Sequence, residues 1–188
     1  NLAVDLQSLD NFPKNSRLLF FGNLSYAPNE DSILWFIDSI LPKIKLRNSN
    51  IELVIAGSNV TEKIKNALNN DSIHLIDTPK DMFEVIKQCN MVILPILWGS
   101  GQKNKVLEAM ASGRPVICSS HAIEGTLIEH DKHVMVADKK DDYANFIIDL
   151  LKDDVKAKEL VKNSRLFIAN NFSNTMLREK YLEILNSF

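Results

Sequence analysis

One stretch of the sequence, residues 99–117, combines glycines, lysines and a helix start in a pattern that suits an anionic ligand. It reads GSGQKNKVLEAMASGRPVI and predicts a glycine-bracketed loop, a short helix and then a strand. Gly99 and Gly101 would let backbone N–H groups approach a diphosphate closely, while Lys103 and Lys105 would supply neutralising charge. The same residues also suit an ordinary turn followed by solvated lysines, so the pattern alone leaves both interpretations open.

Three common phosphate-binding designs do not fit this sequence. A Walker A loop needs Gly-Lys-Ser or Gly-Lys-Thr, and neither tripeptide occurs. A dinucleotide fingerprint needs a third glycine where Asn104 stands and an acidic residue after the next strand, where Ser119 and Ser120 follow. A phosphoryl-accepting receiver domain places aspartates after its early strands, whereas the first predicted strand here ends at Gly22. ATP hydrolysis of the P-loop type, NAD binding and phosphorelay are therefore not indicated.

Short apolar runs alternate with amphipathic helical patterns along most of the chain. The predicted strands are residues 17–22, 51–57, 72–78, 90–96, 115–120 and 133–138. The clearest helical pattern, residues 29–44, carries acidic residues at its start and an apolar face of Ile33, Ile37, Ile40, Leu41 and Ile44. This alternation predicts an α/β fold, a Rossmann-like doubly wound parallel sheet of about six strands covered by helices on both faces.

The two ends of the chain differ in character from this alternating part. We predict a lead-in segment over residues 1–16, the Rossmann-like lobe over residues 17–153, and C-terminal helices packing on that lobe over residues 154–188. From residue 141 onward the sequence contains no strand pattern and predicts three helical stretches, broken near Asp153 and again near residues 170–173.

Composition excludes several classes of partner. The net charge is -2 with both signs interspersed, so nucleic acid is not an expected partner. Cys89 and Cys118 lie inside apolar stretches, which indicates reduced core thiols and a cytoplasmic location. The absence of an apolar run of membrane-span length leaves only peripheral contact, at the inner face of the membrane. The four histidines lack metal-ligand spacing, so no metal is expected, and His121 alone lies near the glycine-rich stretch.

Several stretches together resemble the C-terminal, donor-binding lobe of retaining glycosyltransferases of the GT-B type. They are FGNLSYAPNEDSILWF, ELVIAG, VILPI and, most specifically, KVLEAMASGRPVI, and the similarity runs over nearly the whole chain. The resemblance implies a single lobe of a GT-B fold. It also implies transfer of a sugar from a UDP- or GDP-sugar substrate to an acceptor glycan, lipid or protein, with retention at the anomeric carbon, no permanently bound cofactor and no metal.

The resemblance also implies roles for particular residues. The family's ribose-binding glutamate matches Glu108, a suitable group because a carboxylate accepts two hydrogen bonds at once. A second glutamate, usual eight residues earlier, is replaced here by Ser100, whose hydroxyl can still bond the donor sugar. Gly22 would keep the first loop close to the donor, and the base would be read near Thr78.

The family's usual cationic clamp on the diphosphate is missing. Many members place an arginine and a lysine after the first strand, where this chain has Asn23 and Pro28. We expect Lys103 to replace that charge because it is nearer the loop, with Lys105 in reserve, since residues two apart on a helix do not share a face. The predicted catalytic residues are therefore Lys103 and Ser100. The predicted donor-binding residues are Gly22, Asn23, Thr78, Gly99, Gly101, Lys105, Glu108, Ser119 and Glu124.

The expected activity is that of a glycosyltransferase of the hexosyltransferase type in polysaccharide biosynthesis. In GT-B enzymes an N-terminal lobe binds the acceptor, so this lobe alone is expected to bind nucleotide weakly and to transfer little. A nucleotide-sugar epimerase is an alternative, although no acid-base carboxylates facing the anomeric centre can be placed. A degenerate, non-catalytic binding module is the other alternative, because Ser100, Asn23 and Pro28 all depart from the family pattern.

Overall fold

The computed structural model describes residues 12–13, 15–68, 71–99 and 103–172. Within these ranges the strands are β1 (Arg17–Asn23), β2 (Glu52–Ser58), β3 (Ile73–Asp77), β4 (Met91–Leu94), β5 (Val116–Cys118) and β6 (Met135–Val136). The helices are α1 (Ala27–Ser39), α2 (Leu41–Lys45), α3 (Glu62–Asn66), α4 (Met82–Lys87), α5 (Lys103–Ala111), α6 (Ser120–Ile123), α7 (Lys140–Lys152) and α8 (Asp154–Phe172).

The six strands form one sheet in the order β3-β2-β1-β4-β5-β6, and every neighbouring pair is parallel. The predicted doubly wound Rossmann-like sheet is therefore confirmed. The chain first builds outward from β1 to β3 and then returns to the other side of β1 with β4. This reversal leaves a crevice at the carboxyl ends of β1 and β4, the place where open α/β sheets bind ligands.

Burial on both faces of the sheet explains the continuous apolar runs. Leu18, Leu19 and Phe20 in β1 are all buried, as is every residue of β4 and β5. Helices cover both sides, because a parallel strand needs a crossover connection to reach its neighbour. The alternation of strands and helices in the sequence follows directly from this arrangement.

Proline explains two differences between predicted and observed elements. The predicted helix over residues 29–44 is observed as α1 and α2, divided at Ile40 because Pro42 has no N–H to continue the helical ladder. Pro28 lies in the first turn of α1, where a missing N–H costs nothing, and the helix begins at Ala27. β4 ends at Leu94, directly before Pro95, two residues earlier than predicted.

Arg114, in the GRPVI segment, has a structural role in this fold. It is only 2% exposed, and its guanidinium donates to the carbonyl oxygens of Ile86 and Lys87 at 3.4 and 3.0 Å. These carbonyls close α4, where a cation compensates the negative end of the helix dipole. Arg114, two residues before β5, therefore fixes the C-terminal end of α4.

Two of the three predicted C-terminal helical stretches lie within the described residues. α7 packs on α2, and α8 packs on α5 and α7. They are separated at Asp153, whose side chain accepts from the backbone N–H of Lys156 at 2.9 Å. The third stretch and most of the predicted lead-in lie outside the described residues. No helix in the described ranges is long and apolar enough to cross a membrane.

Both cysteines are free and buried, as the sequence predicts. Burial raises the pKa of Cys89 to about 11, and it also raises the pKa of Cys118, because an apolar surrounding disfavours a thiolate. We expect neither thiol of the folded protein to react with an aromatic disulfide reagent at pH 8, and both to react in denaturant. Rapid modification of either thiol without denaturant would contradict this burial.

Candidate functional site at the carboxyl ends of β1 and β4

The β1–α1 turn and the segment after β4 are in direct contact. A Cβ atom on Gly99 would lie 2.7 Å from Cγ of Pro28 and 3.2 Å from Oη of Tyr26, and the φ of Gly99 is +112°. Only glycine combines this backbone conformation with such a close approach. Gly99 therefore brings the glycine-rich loop against the first turn of α1.

Hydrogen bonds to α1 hold the same segment. The backbone N–H of Leu97 donates to Oγ of Ser32 at 3.3 Å. The indole Nε1 of Trp98 donates to Oδ2 of Asp31 at 3.1 Å, although the ring itself is 47% exposed. These contacts fix the entrance of the loop, while the exposed face of Trp98 remains available at the crevice.

Lys105 is the cation that the fold brings to the end of β1. Its ammonium donates to Oδ1 of Asn29 at 2.5 Å and lies 5.2 Å from the centre of the Phe20 ring. A Cβ atom on Gly22 would lie 2.7 Å from this ammonium, and the φ of Gly22 is +143°. Burial lowers the pKa of Lys105 to about 8, and the nearby charge of Glu108 opposes this shift without cancelling it. Lys105 therefore places a positive charge against the backbone of the first loop.

The structure describes the side chain of only one of the two lysines in the motif. Lys105, which the sequence placed in reserve, turns inward to Gly22 and Asn29. Lys103 is the first residue of α5, and its side chain lies outside the described part of the protein, as do Ser100 and Gly101. Helical spacing predicts that only one of the two lysines faces inward. Lys105 does so, and the role expected of Lys103 stays a prediction.

Glu108 lies one helical turn beyond Lys105 on α5, and its side chain is exposed. Its charge raises the pKa of Lys105, which places the two groups close enough to interact electrostatically. A solvent-exposed carboxylate beside a partly buried ammonium offers acceptors and a cation on neighbouring turns of one helix. This combination suits a ligand with both hydroxyl and phosphate groups.

Two other predicted residues lie at the same edge of the sheet, with their side chains engaged locally. Oδ1 of Asn23 accepts from the backbone N–H and the hydroxyl of Ser25, at 3.1 and 3.0 Å, and so shapes the β1–α1 turn. Thr78 follows β3, with a φ of 47°, and its hydroxyl donates to Oδ1 of Asp77 at 2.7 Å. Neither residue supplies the missing positive charge.

The loop after β5 reaches the site through a histidine rather than through the predicted serine. The hydroxyl of Ser119 is buried, donates to the Ile96 carbonyl at 2.6 Å and caps α6. Nε2 of His121 lies 2.7 Å from the Gly99 carbonyl oxygen, and its Nδ1 lies 3.4 Å from the exposed carboxylate of Glu124. Because a carbonyl only accepts, Nε2 must carry the proton. His121 belongs to no motif with a characteristic spacing, so its contact with Gly99 could not be predicted from the sequence.

A groove formed by described residues lies elsewhere on the protein. It has a volume of about 730 Å³ and runs between the loop at residues 126–133 and the C-terminal half of α8. None of its lining residues belongs to the predicted site. We take the β1–β4 crevice as the candidate functional site, because the cation, the two close-packed glycines and the helix start converge there.

The parallel sheet with a crevice at its switch point is a Rossmann-like lobe, a fold shared with the C-terminal domain of a glycosyl transferase group 1 family protein. The chain belongs to the family Glycosyl transferases group 1, whose model matches residues 15–153. The resemblance seen in the sequence is thereby confirmed.

One curated protein aligns with most of the chain. An uncharacterized 44.6 kDa protein in the cps region of Klebsiella pneumoniae is 30% identical over 168 residues. The match covers 85% of this chain and 43% of that protein. The chain therefore spans less than half the length of this relative.

Solved structures share the fold at low sequence identity. TarM matches with a TM-score of 0.76 and 20% identity, over 94% of this chain and 36% of that chain. HepE of Anabaena, in complex with UDP and glucose, matches with 0.71 and 15% identity, over 93% and 49%. The C-terminal domain of LpcC from Francisella tularensis, a glycosyl transferase group 1 family protein, matches with 0.65 and 17% identity, over 87% and 88%.

Proposed function

We propose that this chain is the donor-binding lobe of a retaining glycosyltransferase of the hexosyltransferase type, with a UDP- or GDP-sugar as its substrate. The observation that carries the proposal is the Lys105 ammonium against the backbone of Gly22 at the β1–β4 crevice. Structures with the same fold support it, because HepE has been solved with UDP and with UDP-glucose, and S. aureus TarM with UDP.

Lys105 would neutralise the diphosphate and stabilise it as the leaving group. Negative charge develops on the diphosphate as the bond to the anomeric carbon breaks, and a preformed positive charge lowers the free energy of that transition state. The start of α5 would add its free N–H groups and helix dipole. Lys103 and Ser100 keep their predicted catalytic roles on the phosphate and the donor sugar. Under this proposal the lysine charge and the helix dipole take the place of a metal ion.

Glu108 would accept hydrogen bonds from the ribose hydroxyls, with Gly22 and Gly99 allowing the close approach of the backbone. The acceptor and a catalytic base would come from an N-terminal lobe, so this lobe by itself binds nucleotide and transfers little sugar. We assign it to polysaccharide assembly in the cytoplasm, with peripheral contact at the inner face of the membrane.

Calorimetric titration with UDP, GDP and ADP tests the proposal directly. We expect one nucleotide to bind, and we expect Glu108→Gln to weaken its binding about tenfold, because charge-assisted hydrogen bonds to the ribose become neutral ones. Glu159→Gln is the matched control, since Glu159 is an exposed glutamate on α8 outside the crevice. We expect it to leave the affinity unchanged.

Two results would contradict the proposal in different ways. Failure of the chain to bind any of the three nucleotides would favour the non-catalytic module. Equal effects of the Glu108 and Glu159 substitutions would remove Glu108 from the site while leaving the donor-binding role intact. Epimerisation of the nucleotide-sugar, rather than sugar transfer, by the protein joined to its acceptor lobe would favour the epimerase alternative.

A further inference from the structure

We propose that Asn29 is a positioning residue for diphosphate recognition, whose carboxamide holds the Lys105 ammonium beside Gly22 without cancelling its charge. This inference rests on the proposed function and adds to it a residue that the sequence patterns did not single out. Asn29 lies in the first turn of α1 and is 2% exposed.

The buried amide of Asn29 is hydrogen-bonded at both ends. Its Oδ1 accepts from the ammonium of Lys105 at 2.5 Å, and its Nδ2 donates to the backbone carbonyl of Asn23 at 2.7 Å. The two partners determine the orientation of the amide, because an ammonium only donates and a carbonyl only accepts. Asn29 thereby joins the end of β1 to the helix that follows the glycine-rich loop.

Lys105 differs from other lysines of the described structure because its hydrogen-bond partner, Asn29, is neutral. Several lysines pair with carboxylates at 2.6 to 2.9 Å, namely Lys43, Lys63, Lys65, Lys87, Lys132 and Lys156. Within the described residues Lys105 forms no such ion pair, and its hydrogen bond goes to an amide. A carboxylate at this position would also accept from the ammonium, but it would neutralise the charge and could not donate to the Asn23 carbonyl.

The positive charge of Lys105 is therefore held in place and left for a ligand. An ammonium has three N–H donors, of which Asn29 uses one. The Phe20 ring covers another side of the group through its face. A diphosphate at the backbone of Gly22 would supply the opposite charge that the described protein groups in contact with the ammonium do not.

A double-mutant cycle separates a positioning role from a merely structural one. Affinity for the selected nucleoside diphosphate is measured by calorimetry at pH 7 for the unmodified chain, Asn29→Leu, Lys105→Met and the double variant. We expect Asn29→Leu to weaken binding about tenfold when Lys105 is present, and less than twofold in the Lys105→Met background, because Asn29 acts through the ammonium. Asn29→Ala, which also removes both hydrogen bonds and adds no charge, replaces Asn29→Leu in the cycle if the leucine variant does not fold.

A second measurement needs no nucleotide. We expect NMR titration of the ¹³Cε resonance of Lys105 to give a lower pKa in Asn29→Leu than in the unmodified chain, because the charged form loses its hydrogen bond. In Asn29→Asp we expect the pKa to rise and diphosphate affinity to fall, since the aspartate neutralises the ammonium.

These outcomes separate the two proposals. Equal effects of Asn29→Leu in both backgrounds, or an unchanged pKa of Lys105, would overturn the role of Asn29 while leaving donor binding intact. Absence of nucleotide binding by the unmodified chain would overturn the proposed function and, with it, the role of Asn29 in diphosphate recognition. In that case the NMR titration would still report whether Asn29 holds Lys105.

Discussion

Lys105→Met is expected to weaken the binding of a nucleoside diphosphate about 100-fold, which corresponds to about 3 kcal/mol. The substitution removes the ammonium that lies against Gly22 while keeping an unbranched side chain of similar length. Calorimetric titration at pH 7 measures the loss. Lys158→Met is the matched control, because Lys158 is an exposed lysine on α8, and we expect it to leave the affinity unchanged. An affinity loss of less than threefold in Lys105→Met would remove this lysine from the site.

The same lysine is expected to make affinity depend on pH. Burial lowers the pKa of Lys105 to about 8, so the ammonium is mostly protonated at pH 7 and loses its proton as the pH rises further. We expect nucleotide affinity to fall above about pH 8 in the unmodified chain, approaching tenfold per pH unit. The affinity of Lys105→Met should not change over the same range. A flat profile in the unmodified chain would contradict the assignment.

The free energy of unfolding is expected to rise with pH, whereas nucleotide affinity falls. Between about pH 8 and pH 10.5 the unfolded chain holds a proton on Lys105 that the folded chain has lost, so the free energy of unfolding rises with pH across this window. Below about pH 8 the full cost of burying the charge remains. We therefore expect Lys105→Met to raise the free energy of unfolding at pH 7 by about 1–2 kcal/mol, after the lost hydrogen bond to Asn29 is included. Thermal unfolding of the ligand-free proteins measures this gain.

Gly57→Ala is expected to be the most destabilising single-methyl change at this edge of the sheet. Gly57 in β2 is in register with Gly22 in β1, and an added Cβ atom would lie 1.8 Å from the Gly22 carbonyl oxygen. This clash is with the backbone of a central strand, which cannot rotate away as a side chain can. We expect a loss of about 4 kcal/mol in the free energy of unfolding, and a melting temperature lower by about 8–16 °C.

Nucleotide binding reports the second consequence of Gly57→Ala. Relief of the clash requires Gly22 to move, and Gly22 lies against the Lys105 ammonium. We therefore expect diphosphate affinity to fall even at temperatures where the variant is folded. Ser58→Ala, at the next position in β2, is the control and should change the free energy of unfolding by less than about 0.5 kcal/mol. Equal melting temperatures for the two variants would show that β1 and β2 are not closely packed at Gly22.

The class of fold could be predicted from the sequence alone, and the sequence also indicated where to look for a candidate site. Strands buried on both faces require continuous apolar runs, and residues 17–22 and 51–57 differ by only one residue from β1 and β2. The glycines and lysines of residues 99–105 lie close together in the chain, so their spacing could indicate a phosphate-binding loop. These predictions rest on local periodicity and composition.

The arrangement of side chains within the site depended on the tertiary structure. Asn29 and Lys105 are 76 residues apart, and they meet only because β4 returns to lie beside β1. Ser119 lies at the end of a predicted strand, where ligand-binding residues are expected. Its hydroxyl instead donates a hydrogen bond to the Ile96 carbonyl. Helical spacing predicts that the two lysines point in different directions, but only the tertiary contacts show that Lys105 turns toward Gly22 and Asn29. Side-chain roles of this kind depend on contacts between distant segments, which local sequence patterns do not record.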